Sequence, residues 1–293
     1  MPQLILNADD FGLTPGINRA IAELHAAGAL TSATLMASGP AFDDAVRVAR
    51  AHPTLGVGCH IVLTDGSPIS PPHTISTLLG PDRKTFRPKL THFLRDLFLH
   101  RIDPADIARE AHAQITRLQQ NGIHPTHIDT HKHTHLFPSV ARPLLDAAER
   151  TGIPAIRNPF EPPWSIALGK SPLLRRLQLR VLAPLRPRFL ALPQIKSGTI
   201  LTTDGTLAIS ATGSLTPQTL TQTLAAMPAG TWELVCHPGY NDTDLDAITT
   251  RLRAHREIEL HALLQAFATD SPHPSTVELI NYAAVSAPSP PLP

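Results

Sequence analysis

A chain of 293 residues, 42% of them hydrophobic, is long enough for one large α/β core, and its formal net charge of +1 excludes the broadly basic surface of a nucleic-acid binder. Two cysteines, Cys59 and Cys236, make no disulfide framework and fit a reducing compartment. No stretch approaches a membrane span, and Leu4-Ile5-Leu6 is too short for a signal-peptide core, so the expectation is a cytoplasmic protein, with peripheral contact at the inner membrane surface left open.

In chain order, strand and helix signals alternate. Leu4–Asn7 reads as a first strand. Thr14-Pro15 then gives an N-cap followed by proline at the first helical position, and Ile17, Ile21 and Leu24 share one face before Gly28 ends the helix. Ser32–Ala37 is the next strand, Phe42–His52 a helix stopped by Pro53, and Leu55–His60 the third strand. Asp103-Pro104 opens another helix, with Ile107, Ala111 and Ile115 on its apolar face and Asn121-Gly122 at its end. A histidine-rich strand, a helix from Pro138 to about Arg150 and a short strand Ala155–Arg157 follow. Farther on come a helix near Thr216-Pro217, a strand Trp232–Cys236, a long helix Asp244–Ala268 and a last strand Thr276–Tyr282. Seven or eight strands in this rhythm predict an irregular (β/α) TIM-like barrel, a single domain over 1–285. It carries insertions at about 64–102 and 158–190, and 286–293 is expected to be a disordered Pro-rich tail.

The run His127-Ile128-Asp129-Thr130-His131-Lys132-His133-Thr134-His135 carries the chemistry. On an extended strand, residues two apart share a face, so His127, Asp129, His131 and His133 project together. Imidazoles and carboxylates are the usual ligands of a divalent metal; the bland alternative is a His-rich surface strand. Three further clusters end apolar strands in the same way: Asn7-Ala8-Asp9-Asp10-Phe11-Gly12, Gly56-Val57-Gly58-Cys59-His60 and Cys236-His237-Pro238-Gly239. The carboxyl edge of a parallel sheet is where active sites are assembled. The two cysteines, each directly before a histidine, read as small core residues.

Neighbouring side chains on an extended backbone diverge, so of Asp9 and Asp10 one can bind metal while the other faces substrate. A metal held by Asp10, His60 and one histidine of the run has two imidazoles and a carboxylate with open positions, which suits metal-assisted hydrolysis. Asp9 can then take a proton from water and His237 can protonate the leaving group, as an amide requires. The alternative for Asp9 is capping a backbone turn near Gly12.

The four motifs together resemble those of the YdjC/ChbG-like carbohydrate deacetylases, from residue 4 to about 282. The resemblance implies an irregular (β/α) barrel, one divalent metal ion (Mg²⁺ or Zn²⁺), and removal of acetyl groups from N-acetylated sugars. It implies metal ligation by Asp10, His60 and His131 with Asp9 as base, and, by analogy with the wider polysaccharide deacetylases, His237 as acid. Asp129, His133, Arg157 and Tyr240 are assigned to the substrate pocket. Asp129 is also placed to fix a ligand imidazole's tautomer, and Arg157 to orient the catalytic Asp. His127 reads as an orienting or core residue, His135 as pocket lining. Lys132, the segment Arg157–Pro163 and Trp232–Asn241 resemble the hopanoid-biosynthesis-associated (HpnK-type) subgroup, which implies N-acetylglucosamine on a hopanoid lipid; a soluble chitooligosaccharide is the alternative.

From Lys170 to Leu190 there are six Lys or Arg residues and no acidic one, with Leu173, Leu174, Leu177 and Val181 at helical spacing. This stretch reads as an ordinary surface helix, a lid for an amphiphilic substrate, or an interfacial helix drawn to anionic lipid. The partners expected are therefore a small or lipid-linked amino sugar, no nucleic acid, and a membrane surface or second copy of the chain as open options. Two rival functions remain: a metal-dependent phosphoesterase, against which stands the lack of a Gly-rich phosphate cradle, and a carrier that has lost its chemistry.

Overall fold

Parallel strands buried on both faces organise the chain. The computed structural model describes residues 1–168, 172–267 and 277–285. Its strands are β1 (Gln3–Phe11), β2 (Ser32–Leu35), β3 (Gly56–Ile61), β4 (Ile128–Thr130), β5 (Gly205–Leu207), β6 (Thr231–Cys236) and β7 (Glu278–Ile280). They form one parallel sheet in the order β4-β3-β2-β1-β6-β5, with β7 paired to the first residues of β1. The first helices are α1 (Pro15–Ala26), α2 (Phe42–Ala51), α3 (Leu90–Phe98), α4 (Pro104–Gln120), α5 (Pro138–Thr151) and α6 (Pro163–Leu168). Then come α7 (Leu173–Leu182), α8 (Arg186–Leu190), α9 (Pro193–Lys196), α10 (Pro217–Ala226), α11 (Thr243–Asp246) and α12 (Ala254–Phe267). The cap grammar of the sequence holds: Thr14, Asp103 and Thr216 each accept a backbone N–H at a helix start, with proline next in line.

Strand alternation splits the side chains into two sets. Leu4, Leu6 and Ala8 of β1, Ala33 and Leu35 of β2, Val57, Cys59 and Ile61 of β3, and Trp232, Leu234 and Cys236 of β6 join the main core under the helices. The intervening residues face the inside of the curled sheet, and most are polar: Asn7, Asp9, Ser32, Thr34, His60, Asp129 and Glu233, all buried. Ile5, Ala155 and Tyr282 form a separate small apolar cluster below them. A (β/α) barrel is ordinarily filled with branched aliphatic residues. Here the interior is a polar column leading to the carboxyl edge of the strands.

The architecture is an α/β domain with a curled parallel sheet, a half-barrel, where a TIM-like barrel was expected. Among the described residues, the curl continues beyond β4 only through isolated bridges, Ile128 to Ile156 and Ala155 to Leu201. The segment Ala155–Arg157 is thus not a regular strand: Arg157 N–H bonds to Ile128 and Ile156 N–H to Leu201, but the ladder goes no further on that side. β5 went unseen in the sequence because its three residues are too short for a period. The expected long helix from Asp244 is two, α11 and α12, separated by residues 247–253. The end expected at Ala268 and the tail 286–293 lie outside the described residues.

The histidine run departs most from expectation. Only Ile128–Thr130 is strand; His131–Leu136 turns as 3-10 segments, and Lys132 and His133 adopt positive φ of 59° and 51°. The two-residue period therefore runs out after His131.

Candidate metal centre

Three donors meet at the mouth of the curl. Asp10 Oδ1 lies 3.4 Å from His131 Nδ1 and 3.8 Å from His60 Nε2, and the two imidazole nitrogens are 3.4 Å apart. Asp10 reaches this point because β1 is irregular between Ala8 and Phe11 and Asp10 has a φ of 65°. A local bulge re-aims a side chain that regular alternation sends into the helix layer. The expectation that Asp9 and Asp10 diverge is replaced by a geometry in which both serve the mouth.

The donor set fits a metal. Donors bound at 2.0–2.2 Å around a tetrahedral ion stand about 3.4 Å from one another, close to the separations observed. His60 Nδ1 is 2.7 Å from Asp129 Oδ1, an arrangement that holds a proton on Nδ1 and turns Nε2 toward Asp10 and His131, where it offers its lone pair once that nitrogen is deprotonated. A second cluster, Asp9, His60 and Asp129, is also close enough for coordination, but a cation already fills it. The Arg157 guanidinium donates to both oxygens of Asp9 at 3.0 and 2.7 Å and lies 2.6 Å from Asp129 Oδ2.

Arg157 is wholly buried and also donates to Glu233 Oε1 at 2.8 Å. Despite burial, Arg157, followed by His60 and His237, holds the Asp9 carboxyl well below the ordinary carboxylate range. Asn7 Nδ2 and Thr34 Oγ1 donate to the same Asp9 oxygen. Burial pushes Glu233 up in spite of Arg157, and the Tyr282 hydroxyl donates to its other oxygen at 2.5 Å. For His60, burial favours the neutral ring, but Asp129 and Asp9 outweigh it and raise the pKa to about 9.

His237 closes the site from the end of β6. Its Nε2 is 3.8 Å from Asp9 Oδ2, and its backbone N–H donates to Glu259 Oε2 at 2.6 Å. Glu259 Oε2 is also 4.0 Å from His237 Nδ1. Arg256, one turn earlier on α12, donates to Asp10 Oδ2 at 2.6 Å, leaving Oδ1 for the donor triangle. Sequence reasoning missed Arg256, Glu259 and Glu233. The available signal was weak: α12 buries Arg256 and Glu259 among its apolar residues, and Glu233 interrupts a strand otherwise apolar through Cys236.

The residues assigned to the substrate pocket divide. His133 is held neutral by burial, then by Arg157. Asp129, only 1% exposed, has one oxygen on His60 and the other within 2.6 Å of Arg157, an arrangement that suits the orienting role rather than contact with a sugar. Arg157 is arranged in the same way, for the orienting alternative, as the clamp on Asp9. The Tyr240 hydroxyl donates to Glu23 and its ring lies under Arg19, so it stands on the flank of α1 and not among the donors. His135 is buried against Thr130 Oγ1 at 2.7 Å, and burial pushes it down to about 3. His127 stacks on Tyr282 at 3.6 Å, deep in the curl. Both cysteines are buried, and burial pushes their thiols up, as expected of core residues.

Several known proteins are similar to this chain. A carbohydrate deacetylase of Thermoanaerobacter pseudethanolicus is 28% identical over 283 residues, 97% of this chain and 99% of that one. A carbohydrate deacetylase of Brevibacillus brevis is 41% identical over 158 residues, 54% of this chain and 60% of that one. A chitooligosaccharide deacetylase of Salmonella enteritidis is 38% identical over 154 residues, 51% of this chain and 57% of its own length. The latter two alignments thus span little more than half of those relatives. A crystal structure from Enterococcus faecalis V583, described as a proposed cellobiose-phosphate cleavage protein, superposes with a TM-score of 0.73 at 25% identity, covering 96% of this chain and 97% of that one. The model of the family described as YdjC-like protein matches residues 3–270, a span that holds the donor triangle, Arg157, His237 and Glu259 alike. With that match over most of its length, the chain belongs to the YdjC-like family.

Proposed function

We propose that this chain is a metal-dependent carbohydrate N-deacetylase. The observation that carries the reading is the Asp10–His60–His131 donor triangle beside the facing pair Asp9 and His237. The deacetylases named above support the reaction class, at full length in the Thermoanaerobacter case. When bound, a divalent ion at this triangle supplies Lewis-acid polarisation of a carbonyl and acidifies water. Two imidazole donors favour Zn²⁺ over Mg²⁺, which prefers oxygen ligands and retained waters.

The protein's own groups then divide the proton work. Asp9, ionised throughout the working pH range, accepts the proton of the water that adds to the acetyl carbonyl carbon. His237 Nε2 donates a proton to the amine nitrogen as the C–N bond breaks, so acetate and a free amino sugar leave. Arg157 holds Asp9 in place, and Glu259 holds the backbone at His237. Arg256 turns Asp10 so that one oxygen faces the triangle. His133 is placed to meet a sugar hydroxyl as a neutral donor or acceptor.

For the substrate, the favoured reading is N-acetylglucosamine carried on a hopanoid lipid, supported by the apolar and basic α7 on the same rim. A soluble chitooligosaccharide is the second reading, supported by the Salmonella relative. The test is acetate release from an N-acetylglucosaminyl hopanoid and from diacetylchitobiose, each with and without EDTA. Chelator-sensitive release from the lipid substrate establishes both reaction and substrate; release from the soluble sugar alone keeps the reaction and discards the lipid. Phosphate release from simple esters with no acetate overturns the deacetylase reading.

A further inference from the structure

Helix α7 is built the wrong way round for a helix whose only task is to pack on a sheet. Leu173, Leu174, Leu177 and Val181 are 82, 67, 58 and 68% exposed. At 100° per residue these four fall within one arc of the helix, so they form a continuous apolar strip turned to solvent. Arg176 and Arg180 border the strip on one side. Leu179 and Leu182, on the opposite side, line a small cavity together with Leu136, Pro159 and Phe160. Those residues follow the histidine run and Arg157, so α7 is mounted on the rim of the curl that carries the donor triangle.

We propose that this exposed face of α7 is a docking surface for an anionic lipid bilayer. Charge identifies the occupant. From Pro172 to Thr203 the sequence has Arg175, Arg176, Arg180, Arg186, Arg188 and Lys196 and no acidic residue, although the chain as a whole is nearly neutral. An apolar strip bordered by arginines matches an interfacial helix, whose leucines enter the acyl boundary while the guanidiniums meet lipid phosphates. Size argues against a second protein. A ten-residue helix is about 15 Å long and 10 Å wide, a footprint far below the roughly 800 Å² per partner of a stable protein–protein interface. Among the described residues no helix is long and apolar enough to cross a membrane, so the contact is with the surface. Docking through α7 sets the rim at Leu136, Pro159 and Phe160 beside the bilayer. The surface does not depend on a lipid-linked substrate and is tested without one.

The experiment is co-sedimentation of the full chain with vesicles of phosphatidylcholine alone or of phosphatidylcholine with about one third phosphatidylglycerol. The wild type is expected to bind the anionic vesicles, more weakly as salt rises, and to leave the neutral ones largely unbound. The variant L173S/L177S/V181S should lose at least about tenfold in vesicle partition while keeping its thermal unfolding midpoint and its far-ultraviolet circular dichroism. R180E/R188E should lose the preference for anionic vesicles. Wild-type protein that stays in solution with anionic vesicles at low salt overturns the proposal, as does binding that the triple variant leaves unchanged. Light scattering that shows a dimer split by the triple variant, with no vesicle binding, also overturns it and assigns the strip to a second copy.

Discussion

Replacing Arg157 by methionine tests whether the buried charge network holds the site together. The side chain is fully buried and lies within hydrogen-bonding distance of Asp9, Asp129 and Glu233. Methionine fills much of the space but leaves three carboxylates around an apolar centre. Breaking one buried ion pair costs about 3–5 kcal/mol. The three losses share one cation and relax by taking up protons, so the total is expected near the top of that range and not at three times it. For a domain of this size that is a fall in Tm on the order of 10 °C. The sign of the pH dependence follows from Asp9. Its pKa is depressed in the folded protein, so its contribution is present above the unfolded value of 3.8 and lost as pH falls through the folded one. Without Arg157 the carboxyl titrates higher, so the deficit of the variant is largest at neutral pH and shrinks toward pH 5. Differential scanning calorimetry at pH 5, 6 and 7 on wild type, Arg157→Met and Arg157→Lys measures this. Lysine keeps the charge but cannot fork between three partners, so it should fall between the other two. A deficit below about 1 kcal/mol, or one unchanged between pH 5 and 7, would refute the reasoning.

Four other predictions follow from the site. His131→Ala should lose bound metal and acetate release together, measured by elemental analysis and turnover; retained metal removes His131 from the ligand set. Asp9→Asn should keep its metal and lose turnover by about 10² or more, and wild-type turnover ends the general-base role. His60, raised to about 9 in the metal-free protein, contributes stability fully present below pH 6.5 and lost as pH rises through about 9. Metal must displace its proton, so calorimetry at pH 7 in buffers of different ionisation heat should show about one proton released, with affinity rising about tenfold per unit up to pH 9; proton-independent binding removes His60 as a ligand. Gly58→Ala places a Cβ 2.5 Å from His127 Cε1, and that ring is pinned by Tyr282. It should destabilise by about 1–3 kcal/mol in thermal unfolding, and an unchanged midpoint contradicts the close packing inside the curl.

The site was more legible than the sheet. Asp9, Asp10, His60, His131 and His237 each close a strand signal, and the structure brings them to one mouth because the carboxyl ends of parallel strands converge. The two-residue period also placed His127 and Asp129 inside the curl. It failed at His133 and His135, where positive φ at Lys132 and His133 turns the chain out of the strand, and no single residue type announces that turn. The bulge at Asp10 was illegible for the same reason: a left-handed aspartate looks like any other in sequence. Tyr240 was assigned by nearness to His237 along the chain, but past Pro238-Gly239 the backbone leads it to α1. Arg256 and Glu259 are distant in sequence from every motif, so their role shows only when α12 folds across the mouth.

Charge balance in the curl argues for the metal independently of donor spacing. Asp9, Asp10, Asp129, Glu233 and Glu259 are all nearly inaccessible, and the buried guanidiniums among them are Arg157 and Arg256. Five carboxylates against two guanidiniums leave a deficit of three positive charges if all are ionised and the histidines neutral. Buried carboxylates without compensation are too costly to keep in that state. The shifts show where the imbalance is relieved: His60 is driven to hold a proton, and burial lifts Glu233 toward its neutral form. A divalent cation at the proposed site of Asp10, His60 and His131 would supply two of the missing charges at the point where the carboxylates converge. It can then release the His60 proton without leaving the cluster more negative. The polar lining that departs from an aliphatic barrel interior is therefore compatible with a folded core because the same residues pair with guanidiniums and, on the proposed reading, would hold a cation.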